Sequence, residues 1–429
     1  MGTIFIHCQW LISMADGQAP VHDAYLKIVD DKIVEAGPWR EAMIEPGSEL
    51  IEAQDKLVMP GLINTHTHAA MVLFRSLADD LALDSWLKEK IWPLEEKLTP
   101  EDVYAGTRLA ICEMLRSGTT AFADMYFFMD EVARAVEESG IRAVLARGLL
   151  GTGPEAEKKL EEAIETGKRW KGKAQGRITT MLGPHAPYTV PPEFLRQVVA
   201  ASRHYQVPLH IHVAETRNEL EEISKEYGKR PVAYLAEHGV FSRPVLLAHG
   251  VWLDEGEIAF LSRQKVVVAH NPSSNLKLAS GFCPVERLWQ AGVNVAIGTD
   301  GPASNNTLDM FREMRLAALL SSLSTRNPAS LSASDAIEMA TVVGAKGAGF
   351  SEVGILRSGY AADLIVINGA APFMATERDV AEDIVYAAAG GDVQMTMVGG
   401  QILYINGNYT TIDTERAIYE ARAAMSRLL

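Results

Sequence analysis

Eight short apolar runs, separated by helical segments along the middle of the chain, constrain its fold more than any other feature. They read LVMPGLIN, TTAFADM, RAVLARGLL, ITTMLGPH, PLHIHVAE, PVLLAHGV, KVVVAHNP and VNVAIGTD. From Thr119 onward they begin at residues 119, 142, 178, 208, 244, 266 and 293, which is 22 to 36 residues apart. Strand–helix alternation at that spacing predicts parallel strands joined by right-handed crossovers, and eight such units predict a (β/α)8 barrel. An open, doubly wound sheet is the alternative, but no GxGxxG follows any early strand. The intervening segments carry helix punctuation. In TPEDVYAGTRLAICEMLRSG, Thr99 can cap, Pro100 fits the first turn, Asp102 suits the dipole and Gly118 stops the helix. PPEFLRQVVAASRHY places its apolar residues on one helical face.

The flanks have a different period. Residues 1–57 read as short strands turning at Asp30-Asp31, and ADLIVINGA and MTMVGGQILYINGNYT are strand runs with Gly-Gly and Asn-Gly turns. The expected organisation is a small β-sandwich built from both termini, residues 1–57 and 354–429 (the latter with a C-terminal helix), around a barrel over residues 58–353. Some 30 residues separate His68 from the helix start at Thr99, and this insertion contains Phe74, Trp86 and Trp92. A long loop at the C-terminal end of a barrel strand is expected to shape or cover the site; a packed surface excursion is the competing reading.

Composition narrows the function classes. A hydrophobic share of 48% over 429 residues supplies the core of one large barrel. Lys+Arg 40 against Asp+Glu 55, a formal charge of −15, argues against a nucleic-acid partner. Cys8, Cys112 and Cys283 form no CxxC pair, which excludes a zinc ribbon, a disulfide framework and the small PCxxC deaminases. MGTIFIHCQW lacks the basic start and long apolar run of a signal peptide, and no apolar stretch approaches about 18 residues. The expectation is a cytoplasmic enzyme acting on a small molecule, without a membrane partner, and compatible with a homo-oligomer.

In a barrel enzyme the reactive residues lie at the C-terminal ends of the strands. Here strand after strand ends in a residue with ligand chemistry: His66 and His68, then His185, His210, His212 and Glu215, His249, His270 and Asp300. HxH on a strand sends both imidazoles to one face, because side chains alternate with period two. Eleven histidines would give roughly 0.3 HxH pairs by chance, and two are present. Imidazoles with a carboxylate suit zinc or iron(II) far better than magnesium. For His210 and His270 a buried, hydrogen-bonded supporting role is the simpler reading.

VMPGLINTHTH, HVAE, LLAHG, HNPSSNLKL and GTDGPASNN together resemble the amidohydrolase superfamily over essentially the whole chain. Within it, WPLEEKL, MYF, the ARGL turn and GPHAPY are similar to the 5-methylthioadenosine/S-adenosylhomocysteine deaminases. That resemblance implies a deformed barrel with a β-sandwich from both termini. It implies metal ligands at His66, His68, His212 and Asp300, with His249 and Glu215 beside the reacting water. Two-metal members bridge their ions with a modified lysine at the end of strand 4. Here Pro184-His185 stands there, so one divalent metal is expected, Zn2+ with Fe2+ as the alternative. The implied reaction is hydrolytic deamination of a 5′-modified adenosine, with Glu215 moving protons and His249 and Asp300 aiming the water. The same cradle serves guanine and cytosine deaminases and triazine chlorohydrolases, which are the alternatives. For the rest of the substrate the resemblance assigns Glu95 and His185 to the ribose and Arg147 to the 5′ substituent. Lys158 and Lys159 stand where a second arginine is usual, which keeps charge but loses the bidentate fork. Trp86 is a candidate for stacking on the purine.

Overall fold

The computed structural model describes residues 2–15, 18–40, 44–77, 80–375 and 378–429. Its strands form two eight-stranded sheets. The first holds β1 (Thr3–Leu11), β2 (Val21–Val29), β3 (Lys32–Pro38) and β4 (Glu49–Pro60) from the N-terminal end. The second is wholly parallel and holds β5 (Leu62–Thr67), β6 (Thr119–Tyr126), β7 (Arg142–Leu149), β8 (Ile178–Pro184), β9 (Leu209–Val213), β10 (Val245–His249), β11 (Val266–His270) and β12 (Asn294–Ile297), in chain order. The chain then returns to the first sheet with β13 (Leu364–Asn368), β14 (Val393–Val398), β15 (Gln401–Ile405) and β16 (Asn408–Tyr409).

The terminal strands form one continuous sheet, ordered β16-β15-β14-β13-β4-β1-β2-β3. Its two halves meet where β4 pairs antiparallel with β13 through Val58↔Val366. Both halves contribute to one apolar core: Ile6, Leu26 and Ile28 pack with Leu364, Val366 and Met397. This pairing corrects one expectation. LVMPGLIN is not a single barrel strand; its first half ends β4, and only from Leu62 does the chain enter the barrel. Pro60 cannot donate a ladder hydrogen bond, and Gly61 has no room for a side chain, since a Cβ there would meet Thr120 Oγ1 at 2.2 Å. The change of sheet falls on those two residues.

From β6 onward the barrel strands begin within one residue of the expected positions. The helix Pro100–Arg116 has a complete capping box, with Asp102 N donating to Thr99 Oγ1 and Thr99 N donating to Asp102 Oδ2 at 2.8 Å. Gly118, just beyond its end, has φ +84°. The helix Pro192–Tyr205 buries Phe194, Leu195, Val198, Val199 and Ser202, one stripe of a 3.6-residue period. The C-terminal helix Thr414–Leu428 packs on the barrel rather than on the terminal sheet. Ala417, Ala421 and Leu428 share a core with Val103 and Ile111, and Arg108 Nη1 reaches Glu420 Oε2 at 2.7 Å.

Side-chain and main-chain hydrogen bonds close the barrel between the ends of β12 and β5. Asn64 Nδ2 donates to Thr299 Oγ1 at 2.7 Å, Thr65 Oγ1 to Ile297 O at 2.8 Å, and Asp300 N to His66 O at 2.9 Å. The approach is close enough to require glycine at 298, where a Cβ would lie 2.6 Å from Asn271 Oδ1 and 2.8 Å from His66 N. After β5 the insertion is a chain of short helices, Ala69–Phe74, Leu83–Ser85, Trp86–Ile91 and Trp92–Glu95. Among the described residues no helix is long and apolar enough to cross a membrane.

Candidate active site

Alternation along β5 turns His66 and His68 to the same face, and β9 does so with His210 and His212, in strands buried throughout. Beyond the strand ends alternation breaks. Ala214, His249 and Asp300 are left-handed at φ 54°, 74° and 61° without being glycine, a conformation that costs about 1–3 kcal/mol. Neighbouring backbone bonds fix it: Gly250 N donates to Val213 O at 3.1 Å and Trp252 N to Ala214 O at 2.8 Å.

These elements gather four donor side chains. His66 Nε2 and His68 Nε2 lie 3.5 and 3.3 Å from Asp300 Oδ1, and the Nε2 atoms of His68 and His212 lie 3.4 Å apart. Ligands on a tetrahedron with bonds of ~2.1 Å stand about 3.4 Å from one another. The tautomers point the same way. His68 Nδ1 meets Met125 O at 2.5 Å, and His212 Nδ1 meets His185 O at 2.7 Å. Each Nδ1–H therefore donates to a carbonyl, which leaves a lone pair on each Nε2. Two lone pairs facing one another across 3.4 Å repel, so either a proton or a cation must lie between them. His66 Nε2 is buried without a hydrogen-bond partner, and its Nδ1 meets His210 Nε2 at 2.9 Å. His210 thus supports a ligand from behind. The donor set fits a divalent cation.

Electrostatics agree. Burial holds the His66 imidazole down at about 4, and it holds His210 and His212 well below the usual histidine range, with neighbouring imidazoles adding to the effect. His68 rises to about 9: burial opposes this, but Asp300 and the Met125 carbonyl outweigh it. Burial would raise Asp300 as well, yet the His66 and His68 imidazoles beside Oδ1 hold its carboxyl well below the carboxylate range. Asp300 Oδ2 accepts from Ser274 Oγ at 2.6 Å and Ser304 Oγ at 3.0 Å, which leaves Oδ1 aimed at the imidazoles.

Two further groups stand beside the cradle. His249 Nε2 lies 3.7 Å from Glu215 Oε2, while its Nδ1 meets Asn275 Oδ1 at 2.8 Å. His249 also groups with His66 and His212 as a potential ligand. The Glu215 carboxyl is buried, which raises its pKa. Its backbone is clamped, because Ala214 N and Glu215 N each donate to the Glu219 carboxylate at 2.8 Å.

Above the cradle lies a pocket whose lining includes His68, His212, Glu215, His249 and Asp300. The insertion supplies one wall with Trp86, Leu87, Ile91 and Trp92, facing Tyr188 and Leu278. Glu95 and His185 also line it. Burial pushes the Glu95 carboxyl up to about 7, against the pull of the Tyr126 hydroxyl and His68. His185 is held at about 3 by burial and its imidazole neighbours. Its Nδ1 meets Thr189 Oγ1 at 2.8 Å, and that hydroxyl donates to Ala186 O. His185 Nδ1–H is therefore the donor there, and Nε2 is left as an acceptor.

The structure does not bring Arg147 into the pocket lining. Gly148 lines the pocket, and one residue earlier on β7 the side chain turns away. Arg147 Nη1 donates to Gly148 O at 2.8 Å, Nε lies 3.3 Å from Glu162, and the guanidinium sits behind the Phe127 ring, 5.1 Å from its centroid. Lys158 and Lys159 lie on the helix Gly153–Trp170 and do not line the pocket. His270 is buried outside the pocket lining, with no partner for Nδ1. Ser274, Asn275 and Ser304 stand within the motifs HNPSSNLKL and GTDGPASNN, but only the fold shows that they orient Asp300 and His249.

A (β/α)8 barrel whose strand ends converge on imidazoles and one carboxylate defines a class, the metal-dependent hydrolases. Residues 57–403 match the model of the amidohydrolase family, and the chain belongs to that family. Among its relatives, a protein of Pelotomaculum thermopropionicum named 5-methylthioadenosine/S-adenosylhomocysteine deaminase is 47% identical over 100% of this chain and 99% of its own length. A 5'-deoxyadenosine deaminase of Methanosarcina mazei is 48% identical, again over 100% and 99%. The solved structure of an adenosine deaminase from Xanthomonas campestris with bound zinc superposes with a TM-score of 0.95 at 34% identity, covering 99% of this chain and 98% of the other.

Proposed function

We propose that this enzyme hydrolyses the 6-amino group of a 5′-modified adenosine, such as 5′-methylthioadenosine, 5′-deoxyadenosine or S-adenosylhomocysteine, to give the inosine analogue and ammonia. The observation that carries this reading is the buried Glu215 carboxyl beside His249 on the floor of a pocket that also presents Glu95 and His185. Two relatives matched over their full lengths are named for deamination of such nucleosides.

His66, His68, His212 and Asp300 are the residues that would hold the cation, for which Zn2+ is the first candidate and Fe2+ the second. A divalent cation there supplies Lewis-acid polarisation and brings the pKa of water toward neutrality. The protein's own groups do the rest. His249 and Asp300 accept hydrogen bonds from the attacking water and aim its oxygen at C6. Glu215, whose pKa burial raises, is placed to give a proton to the adjacent ring nitrogen as the C–O bond forms, so the ring accepts the electron pair. One proton of the water passes through His249 or Glu215 to the amino nitrogen, ammonia leaves as the C6–N bond breaks, and the proton still on the C6 oxygen returns to Glu215 as the carbonyl forms. Glu95 accepts the two ribose hydroxyls, His185 Nε2 adds a third polar contact to the sugar, and Trp86 packs over the purine.

Ammonia release from adenosine, 5′-methylthioadenosine, S-adenosylhomocysteine and 5′-deoxyadenosine tests the reading. At least one 5′-modified nucleoside should turn over with kcat/KM well above that for guanine or cytosine. Turnover of a free base alone would contradict it.

A further inference from the structure

Behind the cradle, and outside the pocket, lies a buried carboxylate that the mechanism does not use. Glu313, on the helix Met310–Thr325, has no exposed surface. It accepts three hydrogen bonds: Ser273 N at 3.0 Å and Ser273 Oγ at 2.5 Å from the turn after β11, and Asn305 Nδ2 at 2.9 Å from the turn after β12. Asn305 Nδ2 also reaches Thr299 O at 2.7 Å.

The neighbours of those two gripped residues are what matter. Ser274 follows Ser273, and Ser304 precedes Asn305. Their hydroxyls both converge on Asp300 Oδ2 and lie 3.0 Å from one another. One residue further along the first turn, Asn275 accepts from His249 Nδ1 at 2.8 Å. A single carboxylate therefore ties together the two turns that orient one proposed ligand and one proposed base. Burying a carboxylate is expensive unless donors satisfy it, and here all three donors belong to those turns.

We infer that Glu313 is a positioning residue, which aims Asp300 and His249 by clamping the Ser273 and Asn305 turns together. The inference rests on the proposed roles of Asp300 and His249, but its test separates the two. Outer partners of metal ligands set affinity and turnover by about 10–100-fold. Glu313→Gln keeps size and shape but replaces one carboxylate oxygen with an NH2 group, which cannot accept from Ser273 N, Ser273 Oγ or Asn305 Nδ2.

The experiment compares wild type, Glu313→Gln and Ser273→Ala, each loaded with Co2+ in place of the native ion, by visible absorption, chelator competition and steady-state kinetics. The inference predicts a changed Co2+ ligand-field spectrum, weaker metal retention and a kcat lower by about 10–100-fold with KM within about 3-fold in Glu313→Gln. Ser273→Ala, which removes only the hydroxyl contact, should move the same quantities in the same direction by less, and it provides the reading if Glu313→Gln does not fold. A folded Glu313→Gln protein with wild-type spectrum and kcat, altered only in thermal stability, would overturn the inference. So would an unaltered spectrum and kcat in Ser273→Ala if Glu313→Gln fails to fold. Failure of the wild type to deaminate any nucleoside would overturn the functional reading instead, while the spectrum and metal retention would still report on Glu313.

Discussion

At the scale of single residues, position relative to the strand decides role. His66, His68 and His212 share the inner face of two barrel strands, and Glu215 follows at the turn where Ala214 is left-handed. The role given to Glu215 separates cleanly from that of the ligands. Glu215→Gln keeps shape and most hydrogen bonding but cannot carry a proton. Metal content should remain near wild type, substrate binding should change little, and kcat should fall by at least ~10²-fold. Metal analysis, binding and turnover on one preparation check this; near-normal turnover would remove Glu215 as the proton carrier. Glu95→Ala should reduce kcat/KM for nucleosides far more than for free adenine, measured side by side, because its proposed partners are the ribose hydroxyls. The period-two logic that makes His66 and His68 legible in the sequence also explains why Arg147 stands outside the pocket lining. Motif likeness suggested a substrate contact, but Gly148 takes the inward position, so its neighbour points to Glu162. Ser274, Asn275 and Ser304 had no comparable signal, because their contacts depend on how two turns meet.

At the scale of elements, the barrel is closed by a seam of side-chain and main-chain bonds between the ends of β12 and β5, and that seam carries the site. Asp300 N bonds to His66 O, so barrel closure and the joining of two proposed ligands are the same event. Gly298→Ala would force a Cβ to within 2.8 Å of His66 N and 2.6 Å of Asn271 Oδ1. Overpacking of this kind costs about 1–3 kcal/mol or more, and the strand would have to shift. The expected result is a lower melting temperature together with weakened metal retention, both measurable on the purified variant. A half-buried cap away from the site offers a contrast. Thr99→Ala should cost about 1 kcal/mol of stability with kcat unchanged, because its capping box lies at the start of an outer helix. Helix caps and strand starts were legible because they depend on local residues. The split of LVMPGLIN between two sheets was not, since it depends on β4 finding β13, some 300 residues further along the chain.

At the scale of the whole molecule, a buried ion pair joins the barrel to the terminal sheet. Arg142 on β7 donates from Nη2 to Asp363 Oδ1 at 2.9 Å and from Nε to Asp363 Oδ2, and Gly399 N adds a third donor to the carboxylate at 2.8 Å. Asp363→Ala would strand the Arg142 guanidinium, a loss that costs about 3–5 kcal/mol. Denaturant unfolding should show it, without change in the residues that line the pocket. The central claim, however, concerns the cation that these sheets and turns exist to hold. The most direct test is elemental analysis of the purified protein, followed by chelation and titration of the metal back while ammonia release is recorded from a 5′-modified adenosine. About one zinc or iron per chain is predicted, with activity lost on its removal and restored in proportion as it returns. Two tightly bound ions per chain, or full turnover by the metal-free protein, would contradict the account.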